Sequence, residues 1–475
     1  MSHTVEKIGG TSMASEDVLD NVLIGARREA NLYGRIFVVS AYAGITDRLL
    51  EDKRTGTPGV HALYSDADSG WTWSRALSTV ESSMVELNEK MLHEPTDRHM
   101  ADSFVRERIE GARSCLLDLQ RLCGYGHFRL EEHLCTVREL LAGLGEAHSA
   151  HNTVLMLRRR SVNAAFVDLT GWREQERRSL DAQIADKLSA LDVATVLPIV
   201  TGYAHCTEGL VSTYQRGYSE ITFSRIATVT GAREAVIHKE YHLSTADPRI
   251  VGVEHAVPIG RTNYDVADQL SLLRMEAIHP GAARALRRAG IPLRVKRTFE
   301  PEHAGTLIDG DYASDAPCVE IIAGRRGVYA LEVFDHDMLD RRGHQAEIQQ
   351  LLDRHRVAIV TRESNANNLT HYLASEASKV DAVRADIEDE FPQAVVRVRR
   401  VAVVCAIGSD LDVPGLLASC VQALAEGGVG ILAIHQSIRA VDIKFVVDEQ
   451  DYETAIVRLH ARVIDSRRAR VARVA

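Results

Sequence analysis

Apolar runs and helix-like stretches alternate along roughly the first 300 residues of the chain. The runs "RIFVVSA", "VNAAFVDL", "ATVLPIVTGY" and "EAVIHKEY" are short and apolar, as buried strands are. Between them, "CTVRELLAGLGEAHSAHNTVLMLRRR" and "NYDVADQLSLLRMEAIHPGAARALRRAG" are typical of helices. Strands that alternate with helices predict a mainly parallel sheet covered on both faces, which is an αβα sandwich.

A polar stretch, "DGDYASDAP", separates this region from a C-terminal part in which strands and helices are predicted to follow in a different order. We predict a first domain over 1–308 and a linker over 309–326. A strand–helix–strand–strand–helix cycle then occurs twice, which indicates an internal duplication. Two ferredoxin-like βαββαβ modules are predicted over 327–397 and 398–475, with interleaving allowed. Such a pair could bury a small ligand or form a dimerisation platform that binds nothing, and the pattern leaves both open.

The composition excludes several classes of protein. The chain has 475 residues, 45% of them hydrophobic and 26% charged, with a formal net charge of −10. That charge disfavours nucleic acid as a partner. The seven cysteines form no CxxC pair, and no apolar run has the length of a membrane span. We therefore expect a cytoplasmic protein with neither a nucleic-acid nor a membrane partner.

The segment "VEKIGGTS" has the order of residues that an anion site needs. Val5 and Ile8 suit a short strand, and alternation directs Lys7 away from both. Gly9 and Gly10 end the strand, and the hydroxyls that follow can cap a helix. Backbone N–H groups at such a helix start favour the binding of phosphate, and Lys7 adds a full positive charge. An ordinary strand–turn–helix with a solvated lysine remains the alternative.

Further polar residues occur where strands are predicted to end or helices to begin. They stand in "VVSAYAGITD" (Ser40, Thr46), "GLGEAHSA" (Glu146), "QRGYSEITF" (Arg216, Ser219, Glu220) and "STADPR" (Arg249). Hydroxyls at the carboxyl end of a parallel strand face the crevice in which such sheets bind ligands. Glu146, His148 and His151 could be read as metal ligands, but no further convergent ligand is evident, and no metal site is predicted.

In this order the segments resemble the signatures of the aspartokinases, members of the amino acid kinase family. "KIGGTS" corresponds to K-F-G-G-T-S, "VVSAYAGIT" to V-V-S-A-x-A-G-x-T, and "QRGYSE" to G-R-G-G-S-D. The duplicated C-terminal modules resemble the paired ACT domains of that family. The spellings "QRGYSE" and "EAIHP" are similar to those of aspartokinases associated with ectoine biosynthesis.

The resemblance implies the amino acid kinase fold and ATP-dependent phosphorylation of the side-chain carboxylate of L-aspartate, with Mg²⁺. That reaction is the first step towards lysine, threonine and methionine, and in the subgroup ectoine. The family also implies an amino-acid effector at the ACT modules and a homodimer or dimer of dimers formed through them. A kinase for another acidic amino acid and a catalytically weak ACT-containing amino-acid sensor are the alternatives.

Carried over residue by residue, the resemblance assigns three sets of contacts. The catalytic residues are Lys7 and Arg216. Phosphate or nucleotide contacts are expected from Gly9, Gly10, Ser12, His238, Lys239, Arg249 and Glu276. Aspartate contacts are expected from Ser40, Thr46, Glu146, Tyr203, Ser219 and Glu220. Met338 and Gly343 are weak candidates for effector binding.

The departures from the family pattern concentrate on the nucleotide side. Tyr218 replaces a glycine, and Glu220 replaces an aspartate. Lys239 stands where the family has an aspartate and Glu276 where it has a lysine, so we interpret the pair as a charge swap beside the nucleotide pocket. Val360 stands where lysine-sensitive relatives carry an aspartate, which predicts weak inhibition by lysine.

Overall fold

The chain folds into two compact units that interleave in sequence. The first unit contains residues 1–242 and 278–310, and the second contains residues 243–277 and 311–475. The computed structural model describes residues 2–15, 17–25, 32–52, 55–66, 71–214, 217–273, 275, 278–336 and 343–466. Strands and helices are numbered along the whole chain, so that β6, α10 and α11 belong to the second unit.

The first unit is built on a mainly parallel sheet. Its strands are β1 (Thr4–Ile8), β2 (Arg35–Val39), β3 (Ala164–Val167), β4 (Leu197–Thr201), β5 (Glu234–Lys239), β7 (Leu293–Arg297) and β8 (Thr306–Asp309). They lie in the order β3-β4-β2-β1-β5-β7-β8, and within this unit only β8 is antiparallel to its neighbour. The predicted parallel sheet is confirmed.

The helices of the first unit are α1 (Gly10–Met13), α2 (Ile45–Leu49), α3 (Val60–Ser65), α4 (Thr72–Met91), α5 (Pro95–Gly124), α6 (Leu134–Arg159), α7 (Leu180–Ser189), α8 (Leu210–Tyr214), α9 (Tyr218–Thr230) and α12 (Pro280–Arg288). Helix α6 is buried along most of its length, because its small and apolar residues pack against β3, β4 and α5. Helix α9 packs against β1, β2 and β5. Together, α6 and α9 position the side chains of the site described below.

The second unit contains α10 (Pro248–Val251), β6 (Arg261–Asn263), α11 (Tyr264–Leu272), β9 (Ile321–Phe334), α13 (His344–Arg354), β10 (Ile359–Ser364), β11 (Asn368–Leu373), α14 (Ala377–Glu390), β12 (Val395–Ile407), α15 (Leu416–Glu426), β13 (Ile431–Gln436), β14 (Asp442–Asp448) and α16 (Tyr452–His460). Six strands form an antiparallel sheet in the order β10-β11-β9-β12-β14-β13. The two predicted cycles of strands and helices are both present.

Two long central strands join the halves of this sheet. Strand β9 pairs with β12 from Ile321↔Ile407 to Phe334↔Val395. The later half of β9 also pairs with β11, and the later half of β12 also pairs with β14. Each long strand therefore contributes to both modules.

The extents of the units differ from the predicted ones at two places. Strand β9 begins at Ile321, inside the predicted linker over 309–326, because the apolar run before Gly327 continues the strand. The predicted helix over 263–290 is instead two helices, α11 and α12, which belong to different units. His279 caps α12, and Pro280 is its first residue, which suits a helix start and not a helix interior.

Candidate active site

The candidate site lies at the carboxyl ends of β1, β2, β4 and β5. Because these strands are parallel, the residues that follow them lie along one edge of the sheet: Gly9, Ser40, Gly202 and Glu240. Strand β1 has β2 on one side and β5 on the other, so the strand order reverses there. Ligands of open α/β sheets bind at such a reversal point.

The two glycines after β1 allow a very close backbone approach. A Cβ atom on Gly10 would lie 2.5 Å from the carbonyl oxygen of Ala41, so only glycine fits this position. The backbone N–H of Ala43 donates to the carbonyl oxygen of Gly10 at 3.2 Å, which joins the turn after β1 to the segment after β2. Gly9 is the N-cap residue of α1. A tight glycine turn therefore follows β1, and its binding of phosphate stays a prediction.

Lys7 and Lys239 both face the carboxylate of Glu220. The Nζ atoms of Lys7 and Lys239 lie 3.6 and 3.7 Å from Oε1 of Glu220. Burial lowers the pKa of Lys7, and the charge of Glu220 opposes that change. At these distances the carboxylate neutralises the two ammonium groups without a close hydrogen bond to either one. Two cations thus flank one anion at the end of β1 and β5.

Glu220 also holds the start of α12. Its Oε2 accepts a hydrogen bond from the backbone N–H of His279. Burial raises the pKa of Glu220, but the charges of Lys239 and Lys7 and the His279 N–H outweigh it, so that the pKa lies below its usual value. The glutamate that departs from the family pattern is therefore an ionised bridge between two lysines and a helix start.

Glu146 forms the other half of the site. Its Oε1 accepts a hydrogen bond from the hydroxyl of Ser219 at 2.7 Å, and its Oε2 is buried without a hydrogen-bond partner among the described residues. Burial raises the pKa of Glu146 to about 8, against the Ser219 hydrogen bond and the charge of Lys7. A buried carboxylate with an unused oxygen suits a substrate ammonium group.

The remaining predicted aspartate contacts are Ser40, Thr46 and Tyr203. The backbone N–H of Ser40 donates to the carbonyl oxygen of Ile8 at 3.2 Å, so that Ser40 adjoins the end of β1. The carbonyl oxygen of Ser40 accepts a hydrogen bond from the hydroxyl of Ser149. Thr46 is half-buried in the first turn of α2. The ring of Tyr203 is buried and packs edge-on against Tyr218 at a centroid distance of 5.9 Å.

Two predicted nucleotide contacts have other partners in the structure. His238 faces away from Lys239, and its Nε2 lies 2.8 Å from Oε2 of Glu6 in a buried cluster. Because successive residues of β5 point to opposite faces, His238 cannot share the face of Lys239, and its predicted role is wrong. The hydroxyl of Ser12 is fully buried and pairs with that of Thr298 at 2.9 Å, and its contact with a phosphate stays a prediction.

Arg249 lies in the second unit. Its guanidinium pairs with Oδ2 of Asp247 at 2.7 Å in an exposed turn, where Asp247 also caps α10. Its contact with a nucleotide stays a prediction.

Three predicted site residues, Arg216, Glu276 and Met338, lie outside the described residues. The charge swap between Lys239 and Glu276 therefore stays a prediction as well. Gly343 is described: it has φ +92° and precedes α13.

No cluster of three or more His, Cys, Asp or Glu side chains suited to a metal occurs among the described residues. The two histidines of α6 have other contacts. His148 Nε2 lies 2.6 Å from Oδ1 of Asn88, and the ring of His151 stacks on Phe104 at 4.1 Å. Burial lowers the pKa of His148 to about 3 and that of His151 to about 4, so both are neutral at pH 7.

The bridge of Lys7, Glu220 and Lys239 was not recognised from the sequence, although part of it could have been. Alternation along β5 separates His238 from Lys239, and strand pairing places Lys7 opposite Ile237. Lys7 and Lys239 therefore project from the same face. The position of Glu220 depends on where α9 packs, and no local pattern reveals that.

Two parts of the chain match family models. Residues 3–297 match the amino acid kinase family, and residues 404–463 match an ACT domain.

No described helix is long and apolar enough to cross a membrane.

Several characterised proteins are similar to this chain. It is 53% identical over 464 residues to the aspartate kinase Ask_Ect of Stutzerimonas stutzeri, and the match covers 98% of each protein. It is 24% identical to the lysine-sensitive aspartokinase 3 of Escherichia coli, over 97% of this chain and 99% of that one. The fold is that of E. coli aspartokinase III in complex with lysine and aspartate, with a TM-score of 0.71 at 21% identity, covering 97% of this chain and 99% of that one.

Proposed function

Because the chain belongs to the aspartokinases, within the amino acid kinase family, we propose that it transfers the γ-phosphoryl group of ATP to the side-chain carboxylate of L-aspartate. The products are 4-phospho-L-aspartate and ADP. The observation that carries this proposal is the pair of ammonium groups, Lys7 and Lys239, held by one carboxylate at the end of β1 and β5.

The chemistry needs positioning and charge neutralisation more than proton transfer. The side-chain carboxylate of aspartate is already ionised at neutral pH, so it needs no general base to attack. Negative charge is spread over the transferred phosphoryl group, and two fixed cations stabilise it. Lys7 and Lys239 are proposed for that role, and Glu220 holds both ammonium groups near its carboxylate before the nucleotide binds.

Recognition of aspartate falls to the groups around Glu146. Its buried carboxylate, with Ser219 on one oxygen, is suited to the α-ammonium group of the substrate. Arg216, outside the described residues, is proposed to grip the α-carboxylate, since a guanidinium matches a carboxylate in two parallel hydrogen bonds. Ser40 and Thr46 are proposed to complete the polar contacts.

The phosphates of ATP are proposed to bind at Gly9 and Gly10, with Mg²⁺. Glu240 is the carboxylate beside this turn: its Oε1 would lie 4.0 Å from a Cβ atom on Gly9. A carboxylate beside the phosphate turn fits Mg²⁺, which is commonly bound by one or two carboxylates together with substrate phosphates and waters. The cation would neutralise phosphate charge as the transfer proceeds.

A coupled assay of ADP release tests the proposal. Turnover should require ATP and L-aspartate, and hydroxylamine should trap the acyl phosphate as the hydroxamate. L-Glutamate and N-acetyl-L-glutamate are the controls for another amino acid kinase. Absence of turnover with aspartate, in protein shown to be folded, would contradict the proposal and leave the sensor alternative.

The C-terminal modules are proposed to bind an amino-acid effector near Gly343. Val360 is buried in an apolar cluster of the second unit and offers no carboxylate to a lysine side chain. Weak inhibition by lysine is therefore expected, and inhibition at low millimolar lysine would contradict it. The 53% identity to Ask_Ect supports ectoine as a pathway end product.

Strand β13 is proposed to pair with a second copy of the chain. It lies at an edge of the six-stranded sheet, and Leu432, Ile434 and Ile438 are exposed there, the last one fully. An apolar sheet edge favours association. Sedimentation at micromolar concentration should show a dimer or larger assembly, and a monomer would refute the pairing.

A further inference from the structure

A cavity of about 480 Å³ lies in the first unit, between helices α5 and α6. Its other walls are the residues after β3, from Thr170 to Arg173, together with Tyr203 and His205 after β4. All of its lining residues are among those that the structure describes. A volume of this size accommodates a small organic molecule.

Two aromatic side chains in the walls pack directly on helix backbones. A Cβ atom on Gly111 of α5 would lie 2.7 Å from two ring carbons of Trp172. A Cβ atom on Gly143 of α6 would lie 3.0 Å from Cδ1 of Tyr203. A side chain at either glycine would displace the ring beside it, so both rings depend on the absence of a side chain there. The walls are therefore formed without a ligand.

Glu139 brings a buried carboxylate to the cavity, and it is only 5% exposed. Its Oε1 accepts hydrogen bonds from the backbone N–H groups of Val211 at 2.9 Å and Ser212 at 3.0 Å. Its Oε2 is buried and has no hydrogen-bond partner among the described residues. Because a buried acceptor without a donor is costly, a donor supplied by a ligand would be favourable at this oxygen.

The neighbouring titratable groups do not offset this negative charge inside the cavity. Burial, and then the charge of Arg177, lower the pKa of His205, so its ring is neutral at pH 7. Burial, and then the charge of Glu139, raise the pKa of Tyr203, so its hydroxyl keeps its proton. Arg173 is exposed and pairs with Glu107 at 3.2 Å. The buried charge of a mainly apolar cavity is therefore negative.

The charged end of the cavity is separate from the candidate active site. Glu139 and Glu146 lie on the same helix, two turns apart, which corresponds to about 10 Å along the helix axis. Oε1 of Glu146 accepts from Ser219 in the candidate active site, whereas Oε1 of Glu139 accepts from the first turn of α8. Tyr203 lines the cavity, and its contact with aspartate stays a prediction.

We propose that this cavity binds a small organic cation, with its apolar body against the walls from α5 and α6 and its ammonium group on Oε2 of Glu139. This site goes beyond the proposed phosphoryl transfer. ATP and L-aspartate both carry a net negative charge at neutral pH, and a buried carboxylate disfavours them. An apolar body with one cationic donor matches both the walls and the unused oxygen.

The test uses three probes of matched size with the full-length protein: benzylammonium, benzyl alcohol and benzoate. Titrations followed by saturation-transfer NMR should give a Kd of about 1 mM or tighter for benzylammonium. Benzyl alcohol should bind about ten-fold more weakly, because it lacks the charge, and benzoate should not bind. Saturating L-aspartate should leave the binding of benzylammonium unchanged.

Two variants locate the binding in the cavity. Glu139→Gln removes the charge and should weaken the binding of benzylammonium about ten-fold or more. Thr136→Trp places a large side chain at an exposed position of the cavity wall and should block entry in a folded protein. Glu208→Gln is the matched control: this exposed carboxylate accepts the backbone N–H of Leu180 outside the cavity, and the variant should bind like the wild type.

Circular dichroism shows first whether each variant is folded. If Glu139→Gln is unfolded, Thr136→Trp and the comparison of the three probes still decide the question. The proposal is overturned if benzylammonium does not bind, which would leave a cavity filled by water only. It is also overturned if benzyl alcohol binds as tightly, if aspartate displaces the probe, or if folded Thr136→Trp binds like the wild type.

Discussion

The two faces of β1 and β5 each bury charged side chains, but close hydrogen bonds join the charges on one face and longer ion pairs join those on the other. On one face, Arg35 forms two hydrogen bonds to Glu6, at 2.7 and 3.1 Å, and donates to the carbonyl oxygens of Val22 and Leu23. His238 adds a further contact to Glu6 at 2.8 Å. These bonds complete a closed structural cluster.

On the opposite face, Lys7 and Lys239 stand 3.6 and 3.7 Å from Glu220, beyond close hydrogen-bonding distance. Glu6 and Lys7 are similarly buried, at 4% and 9% exposed. Burial alone therefore does not distinguish a structural charge from a catalytic one. The feature that differs is distance: close hydrogen bonds join the charges around Glu6, whereas the two lysines lie at ion-pair distance from Glu220.

The largest expected effect comes from removing Lys7. Lys7→Ala should lower kcat by about 10³-fold or more, because it removes a fixed cation from the transferred phosphoryl group. The melting temperature should not fall, because a buried charge without close bonds contributes little stability. Lys187→Ala, which removes an exposed lysine paired with Glu174, is the control and should leave kcat unchanged. A near-normal kcat for Lys7→Ala would contradict the comparison.

A substitution in the cluster around Glu6 should lower the stability of the protein and leave its kinetic constants nearly unchanged, which is the opposite of the effect expected for Lys7. Arg35→Met leaves Glu6 buried without its main partner, and the free energy of unfolding should fall by about 3–5 kcal/mol in denaturant titration. The KM values of the remaining folded enzyme should change little. Combining it with Glu6→Gln should restore part of the stability, since the two residues contact each other. A large kinetic effect without loss of stability would assign this face to catalysis.

The pH dependence of stability has a defined sign for the same cluster. Burial raises the pKa of Glu6, but Arg35 and the hydrogen bond from His238 outweigh it and hold the pKa well below its usual value. The stabilisation is therefore present above the pKa of an unfolded glutamate, about 4.3, and is lost as the pH falls below it. In the Glu6→Gln variant, the free energy of unfolding should depend less on pH in this acidic range.

Lys239→Ala should weaken ATP binding more than aspartate binding. Lys239 is partly exposed, and Glu220 retains Lys7 as a partner, so we expect a rise of about ten-fold in the KM for ATP. Initial-rate kinetics with each substrate varied in turn measure the two constants separately. An effect confined to the KM for aspartate would assign Lys239 to aspartate binding and not to nucleotide binding.

The smallest effect concerns the protonation of Glu146. Burial raises its pKa to about 8, so the free enzyme carries a neutral carboxyl group at pH 7. The ionised form pairs with an ammonium group, whereas the neutral form keeps only an acceptor oxygen for it, so the KM for aspartate should fall by about three- to ten-fold between pH 6.5 and 8.5. Glu146→Gln should bind aspartate weakly at every pH. A KM that rises over this range in the wild type would contradict the assignment.

The sequence alone was sufficient for the main elements of the fold. Apolar runs located β2, β4 and β5, and "KIGGTS" located the glycine turn after β1, because strand and turn preferences depend on neighbouring residues. The long helices α4 and α5 were not predicted. Among the site residues, Lys7 was found from a local motif, whereas His238 was misassigned because its parity along β5 was not considered.

The sequence by itself determined where strands alternate with helices, where glycine permits a tight turn and which positions of a strand share a face. These properties depend on residues within a few positions of each other. Only the tertiary structure decided which charges meet: Arg35 with Glu6, Glu220 with two lysines, and Glu139 with the start of α8, 72 residues further along the chain. Such contacts depend on strand order and helix packing, which bring together residues that no local pattern connects.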